Sequence, residues 1–301
     1  MASWSVPPMT DPNREQTRAR PAFLLTLSCP DRVGIVADVS RFLVQNDCNI
    51  LESAQFGDAG NQRFFLRTGF EPMGGVSLGE LRATFTPIAA AYDMKAEFVD
   101  QRRKTATILM VSRFGHCLND LLFRWRIGAL PIEIKAVISN HTDFKSLVEG
   151  AGLPFLHLPV TPETKAEQAA QVGEAIETLG AELVVLARYM QVLPPELCAR
   201  HLGRIINIHH SFLPSFKGAR PYHAAFKRGV KLIGATAHYV TPDLDEGPII
   251  EQAVERVQHS HAVADYIAVG RDVEAMVLAR AVKWHAERRV LLNGDRTVVF
   301  Q

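Results

Sequence analysis

Residues 105–140 read TATILMVSRFGHCLNDLLFRWRIGALPIEIKAVISN, and their order settles the architecture of the larger part of the chain. The first run, 105–112, is apolar almost throughout; a helical stretch follows from about Leu118, then a second apolar run at 132–140. Parallel strands need a crossover of a dozen or more residues, usually a helix, so strand, helix, strand in this order predicts a parallel pair. The alternation continues with a helix near 144–150, PFLHLP at 154–159, a helix near 165–179, the apolar run 183–187 and a strand at 204–208. Such near-continuous apolar strands fit a parallel sheet covered on both faces. Residues 105–301 are therefore expected to form a Rossmann-like, mostly parallel α/β domain, with its ligand beyond the carboxyl ends of the strands.

Upstream the pattern changes. AFLLTLS at 22–28 reads as a buried strand, Cys29-Pro30-Asp31 as a turn, and 33–45 as a helix whose Val36, Val39, Leu43 and Val44 make one apolar face. Strands at 49–56 and 62–70 flank the turn-rich Gly57-Asp58-Ala59-Gly60, and a helix near 78–92 and a strand at 95–99 follow. The order βαββαβ predicts a ferredoxin-like domain over residues 21–100, a superfold that by itself names no activity. The basic run Arg102, Arg103, Lys104 reads as a solvated linker between the two domains. Residues 1–20 carry Pro7, Pro8 and Pro12 with no apolar core of signal-peptide length, and read as a disordered tail; Asp11 and Glu15 weigh against a transit peptide.

Composition bounds the function classes. At 301 residues the chain is long enough for two domains, and 33 Lys+Arg against 32 Asp+Glu leave no cationic surplus for a nucleic-acid backbone. Cys29, Cys48, Cys117 and Cys198 form no C-x-x-C pair, which argues against a zinc knuckle or a disulfide framework and fits a reducing compartment. There is no apolar run of about 18 residues to cross a bilayer. A cytoplasmic protein without membrane or nucleic-acid partners is expected.

The chemistry concentrates near residue 207. The strand at 204–208 runs into Asn207-Ile208-His209-His210-Ser211, and side chains two apart on extended backbone share a face, so Asn207 and His209 point together into the expected crevice. Thr241-Pro242-Asp243-Leu244-Asp245-Glu246-Gly247 is a turn-rich acidic loop after the strand ATAHYV. An amide donor, an imidazole and a carboxylate suit hydrolysis of a formamide, whose carbonyl reacts only once charge on its oxygen is stabilised. Asn207 and protonated His209 would donate to that oxyanion, while Asp245 orients the imidazole and activates water. Taken singly, Asn207 is equally a turn or cap residue, His209 a satisfied buried histidine, and Asp245 an Asx-turn residue; the combination is the signal. His209, His210, His223 and His238 match no compact metal motif, and no metal is expected.

Residues 206–250, INIHHSFLPSFKGARPYHAAFKRGVKLIGATAHYVTPDLDEGPII, resemble the folate-dependent formyl-transfer family, with Asn207, His209 and Asp245 at its catalytic asparagine, histidine and aspartate. The resemblance extends at lower density over 105–290. Upstream, Cys29-Pro30-Asp31-Arg32-Val33-Gly34 resembles the first loop of ACT domains, which bind amino acids or dimerise; this narrows the likeness to the formyltetrahydrofolate deformylases. The resemblance implies hydrolysis of 10-formyltetrahydrofolate to tetrahydrofolate and formate, a linear-amide hydrolase of one-carbon metabolism. It leaves open whether the formate feeds purine synthesis or the reaction balances the folate pool.

It also implies that the pterin lies against Arg188, Met190, Gln191, Val192 and Leu193 and against the loop bearing Thr241 and Gly247. Gln191 stands where relatives often carry Arg, which leaves backbone contacts to do that work. Asp31, Arg32 and Gly34 are implied as an amino-acid effector loop in a homo-oligomer; alternatively Asp31 caps the helix and Gly34 permits tight packing. The alternative activity is formyl transfer to an amine. A phosphorylated acceptor wants a loop of small residues after the first strand, converging backbone N–H groups on the anion. Here that loop is Ser112-Arg113-Phe114-Gly115-His116-Cys117-Leu118, with one glycine and bulky neighbours, which favours water. His116 and Cys117 are candidates to line the vacated pocket, or else a helix-start residue and an inert thiol. The single glycine also fails a dinucleotide fingerprint, so no nucleotide cofactor is expected.

Overall fold

The computed structural model describes residues 22–213 and 221–301; the tail expected at 1–20 lies outside them. The N-terminal part runs β1 (Phe23–Pro30), α1 (Ile35–Gln45), β2 (Cys48–Asp58), β3 (Arg63–Pro72), α2 (Leu78–Ala91) and β4 (Lys95–Asp100), the expected βαββαβ order. Its sheet has the order β2-β3-β1-β4, with every neighbouring pair antiparallel. Alternation along β3 sends Phe64, Leu66 and Phe70 into the core beneath α1 and α2, and Phe65 to the opposite face. Helix α2 starts in a capping box, in which Ser77 Oγ accepts from the Glu80 N–H at 3.2 Å and Glu80 Oε2 from the Ser77 N–H at 2.8 Å. Asp31 caps nothing at α1: the N-cap is Gly34, at φ 101, with no side-chain cap. The hairpin link expected at 57–60 falls at 59–62, because the strand runs on through Asp58 and Gln62 takes the left-handed conformation at φ 52.

The second part runs β5 (Thr105–Val111), α3 (His116–Arg126), β6 (Ile132–Ser139), α4 (Lys145–Gly150), β7 (Phe155–His157), α5 (Lys165–Thr178), β8 (Leu183–Leu186), α6 (Pro195–Arg200) and β9 (Ile205–His209). There follow α7 (Pro221–Arg228), β10 (Leu232–Tyr239), β11 (Ile249–Arg256) and the long α8 (Val263–Ala286), then β12 (Val290–Asn293) and β13 (Arg296–Val299). The seven-stranded sheet has the order β11-β10-β9-β8-β5-β6-β7. Strands β5 to β9 are mutually parallel, and β10 is antiparallel to both β9 and β11. Helices α3 and α8 cover one face through Leu118, Leu121, Val277 and Leu278, and α5 and α6 cover the other through Val172, Ile176 and Leu197. Chain order reverses at β5, flanked by β6 and β8, the usual place for a ligand crevice.

The sequence reading placed nothing after ATAHYV beyond the acidic loop, so β11, α8 and the β12–β13 hairpin are additions, as are α6 and α7 upstream. That hairpin leaves the catalytic sheet and packs on the free face of the N-terminal sheet, where Val298 and Phe300 close over Phe65. Asn293 Nδ2 donates to Asp58 Oδ2 at 2.7 Å, tying the last turn of the chain to the first hairpin. The boundary expected near residue 105 is thus crossed again at the C-terminus.

Candidate active site

Register places the first two groups. Asn207 and His209 lie on one face of β9, and Asn207 stands directly opposite His238 on β10. That pairing brings Asn207 Nδ2 to 3.3 Å from His238 Nε2. His238 Nδ1 lies 2.9 Å from the carbonyl of Tyr239, an acceptor only, so Nδ1 carries the proton and Nε2 accepts from the Asn207 amide. One Asn207 N–H is thereby fixed while the other remains free to donate.

The third group comes from the loop after β10. Asp245, at φ 58, is one of six described non-glycine residues in the left-handed region, and so is Arg188, at φ 65. Strained backbone of this kind persists where the surroundings over-determine it. The loop closes on Gly247, where a Cβ would lie 1.8 Å from the Tyr239 carbonyl oxygen; only glycine lets the chain pass so close. Asp245 then reaches two imidazoles, with Oδ2 3.2 Å from His209 Nδ1 and Oδ1 3.7 Å from His238 Nε2. Hydrogen bonding to His209 above all holds its carboxyl well below the usual carboxylate range against partial burial. On its other side, His209 Nε2 meets Ser211 Oγ at 2.9 Å, so the imidazole is gripped at both nitrogens.

These groups line a cavity of about 430 Å³, a volume suited to a small-molecule ligand. Rather than lying only beyond the strand ends, it spreads over the face of β8, β9 and β10, from Leu186 through Asn207 to His238 and Val240. Arg188, Met190, Gln191, Val192, Leu193 and Thr241 line it, whereas Gly247 does not; that residue serves the close backbone approach just described. Met190, Val192 and Leu244 stand 50%, 54% and 63% exposed, an apolar rim that a flat aromatic ligand would cover. Leu193 is buried in the core beneath α5 and α6. Ser112 Oγ accepts from the Met190 N–H at 3.0 Å and the Arg188 carbonyl accepts from the Ser112 N–H at 3.2 Å, pinning this loop to the end of β5.

His116 and Cys117 are not among the residues that line this cavity; His116 opens α3 and Cys117 is fully buried, as in the alternative of a helix-start residue and an inert thiol. They belong to a buried cluster around Glu274, in the middle of α8. Glu274, 1% exposed, accepts from Tyr222 Oη at 2.5 Å, lies 2.9 Å from His116 Nε2 and has Arg188 Nε at 3.3 Å. Burial alone would push this carboxyl up, but the hydrogen bond to His116 and the Arg188 charge outweigh it and hold the pKa down. The Arg188 side chain is therefore drawn away towards α8, across the Phe114 ring, and only its near part faces the cavity. His116, Cys117 and Glu274 bring three ligand-type atoms within 4.8 Å of one another. A cation is poorly served there, because Arg188 already balances the carboxylate and burial drives the Cys117 thiol well above its ordinary value.

His210, beside His209 with ring centroids 5.3 Å apart, is lowered to about 4 by burial and by Arg188, and is neutral at neutral pH. Asp31, Arg32 and Gly34 lie outside the cavity that holds Asn207, His209 and Asp245: the Asp31 N–H donates to Gln62 O at 2.8 Å, and a Cβ at Gly34 would meet Tyr92 Oη at 2.9 Å. His238, Ser211, Tyr222 and Glu274 were not singled out for the reaction from the sequence. His238 was legible in principle, as the residue opposite Asn207 in an antiparallel pair.

Comparison with known proteins accords with this geometry. A formyl transferase family model matches residues 105–282. The chain is 51% identical to a formyltetrahydrofolate deformylase of Corynebacterium sp., over 92% of this chain and 98% of that one. Crystal structures of formyltetrahydrofolate deformylases from Burkholderia mallei and Pseudomonas syringae superpose with TM-scores of 0.90 and 0.92 at 56% and 48% identity. They cover 93% and 95% of this chain and 99% and 96% of their own.

Proposed function

This chain belongs to the formyltetrahydrofolate deformylases, and within its reaction, the hydrolysis of 10-formyltetrahydrofolate to tetrahydrofolate and formate, we propose that Asn207, His209 and Asp245 carry the chemical step. The observation that carries this reading is a single carboxylate, Asp245, held ionised between two imidazoles in one cavity with a fixed amide. Water loses a proton towards Asp245 as its oxygen bonds to the formyl carbon, and the carbonyl oxygen takes up the negative charge. The free N–H of Asn207 meets that oxyanion, worth about 3 to 4 kcal/mol in comparable donor deletions. His209, oriented by Asp245 through Nδ1, donates from Nε2 as well when it carries its second proton and the Ser211 hydroxyl yields. Cleavage of the bond to N10 restores a carbonyl, the nitrogen takes the proton, and formate and tetrahydrofolate leave.

The pterin is assigned to the apolar rim of Met190, Val192 and Leu244, with Gln191 and Thr241 offering polar edges. Water as acceptor is supported by the loop after β5: a Cβ at Gly115 would lie 2.3 Å from the Phe144 ring, and His116 is tied to Glu274, so side chains fill the place of a phosphate cradle. No metal or nucleotide enters this scheme. Residues 21–100 are assigned as an ACT-type regulatory and oligomerisation domain and 105–301 as the catalytic domain. Ile50, Leu51 and Phe56, exposed on the edge strand β2, support pairing with a second copy. Among the described residues no helix is long and apolar enough to cross a membrane, and we place the enzyme in the cytoplasm.

The test is formate release from 10-formyltetrahydrofolate with no amine present. Turnover is expected; turnover that appears only on adding an amine would instead indicate a formyltransferase.

A further inference from the structure

A second cavity, of about 470 Å³, opens where the N-terminal sheet meets the amino-terminal edge of the catalytic sheet. Thr105 at the start of β5 and Glu182 just before β8 lie on its wall, whereas the folate cavity begins with Leu186 and Arg188 at the other end of β8. At a strand rise of about 3.3 Å per residue, roughly 20 Å separates Glu182 from Arg188. The two cavities are distinct.

Three features mark the junction cavity as built for a ligand. Its acids are spent: Glu52, Glu97, Glu182 and Glu287 each pair with an arginine of the same wall, and Asp100 is held by Arg102. Arg82 and Lys104 pair with no carboxylate among the described residues, so the wall keeps a cationic surplus. Secondly, five described residues hold a buried side-chain nitrogen without a hydrogen-bond partner. Arg67, Gln101 and Arg288 line this cavity, and a fourth, Arg188, lines the folate cavity. Arg67 is only 5% exposed, so its N–H is desolvated without compensation. The three unpaired atoms, Arg67 Nε, Gln101 Nε2 and Arg288 Nε, are all donors, and small side-chain rotations would offer them to an acceptor. Thirdly, Arg288 is the left-handed residue, at φ 53, that closes α8, with the Arg289 N–H donating to Trp284 O at 2.8 Å, so the helix end itself fixes where this arginine stands on the wall.

We propose that this junction cavity binds a small molecule bearing an oxyanion, a carboxylate or a phosphate, and that its occupancy is felt at the folate cavity through α8. The anion brings the acceptors that the unpaired donors lack and neutralises the surplus of Arg82 and Lys104. The route is continuous: Ala286 to Arg289 form one wall of the cavity, and about 18 Å back along the same helix Glu274 holds Arg188. A ligand that draws on Arg288 biases the end of the helix that anchors the folate loop.

The test uses the full chain, with inorganic phosphate and succinate as separate probes and chloride as the ionic-strength control. One or both oxyanions should raise Tm saturably by about 2 °C or more where chloride does not. Gln101→Leu and Lys104→Glu, remote from the folate cavity, should weaken that response about tenfold while keeping basal formate release. A response to phosphate alone or to succinate alone identifies the source of the anion. Saturating oxyanion should alter formate release without competing with 10-formyltetrahydrofolate. The site is overturned if neither probe shifts Tm, if both variants respond as the parent does, or if folate abolishes the shift; unchanged turnover at saturation overturns the link through α8.

Discussion

Asp245 and Glu274 are carboxylates on either side of Arg188, and both are held below the ordinary carboxylate range, yet by different means. Asp245 sits on a strained loop at φ 58, its side chain 22% exposed to the cavity over β8 to β10, and the hydrogen bond to His209 is the chief influence that lowers it. Glu274 sits in the middle of a helix, 1% exposed, and hydrogen bonds from His116 and Tyr222 together with the Arg188 charge offset its burial. The difference teaches that an ionised buried carboxylate is not in itself a catalytic group. In the proposed scheme Asp245 keeps a line to the reacting atoms, whereas Glu274 is taken up by hydrogen bonds to His116 and Tyr222 and by the charge of Arg188, and acts by fixing where Arg188 goes.

The sharpest way to break this contrast is substitution of each acid by its amide. Asp245→Asn should lower formate turnover by about 10³-fold to 10⁴-fold and leave thermal unfolding within a few degrees of the parent, since it removes a proton acceptor from an accessible loop. Glu274→Gln should do the reverse. It leaves Arg188 without its counter-charge in a buried setting, and urea unfolding should report a loss of about 3 to 5 kcal/mol together with a raised KM, as the loop from Arg188 to Leu193 loosens. Should Glu274→Gln abolish turnover in a fully folded protein, the assignment of roles would be inverted. Asn207→Ala probes the Asp245 side again and should cut kcat by about 10²-fold to 10³-fold with KM little changed, because the donor acts on charge present only in the transition state.

Acid titration gives the smallest effect and separates imidazoles from carboxylates. His210 and His285 are lowered from 6.5 to about 4 and about 3, chiefly by burial, so the unfolded chain binds protons that the folded chain refuses. Their contribution to stability is complete above pH 6.5 and is lost as the pH falls from there to 4 and below. Asp245 and Glu274, being lowered carboxyls, contribute stability that is present above their unfolded values and disappears only as the pH falls through still lower folded ones. Tm should therefore decline from about pH 6.5 downwards, before either carboxylate protonates; a flat profile to pH 4.5 would contradict the burial of the two neutral histidines.

The same two acids show how far the sequence could be read. Asp245 was legible because its loop carries turn residues after a strand, and because Asn207 and His209 fall two apart on another strand, a spacing that extended backbone converts into proximity. Glu274 was not, since a lone acid in a helix reads as solvent-facing until the helix is known to cross the sheet face. The place of His116 and Cys117 beside Glu274 was not legible, because that acid lies on α8 and no local pattern reveals it. The strands and helices placed up to Tyr239 emerged within a few residues of their expected ends, whereas α6 and α7 were not placed. The C-terminal hairpin was missed although Gly294-Asp295, the two residues between Asn293 and Arg296, with Gly294 at φ 62, is a two-residue turn signal of the Gly-X kind. Its role in recrossing the domain boundary depends on Phe65, Val298 and Phe300 meeting across the whole chain, which periodicity does not encode.

The central claim is that the formyl carbonyl is delivered among Asn207, His209 and Asp245, and a crystal structure with a non-hydrolysable analogue of 10-formyltetrahydrofolate tests it most directly. The formyl oxygen should lie about 3 Å from Asn207 Nδ2, with a solvent molecule between Asp245 and the carbonyl carbon and Glu274 out of contact with the ligand. A formyl group more than about 6 Å from Asn207 and Asp245, or one bonded to the Glu274 cluster instead, would contradict it.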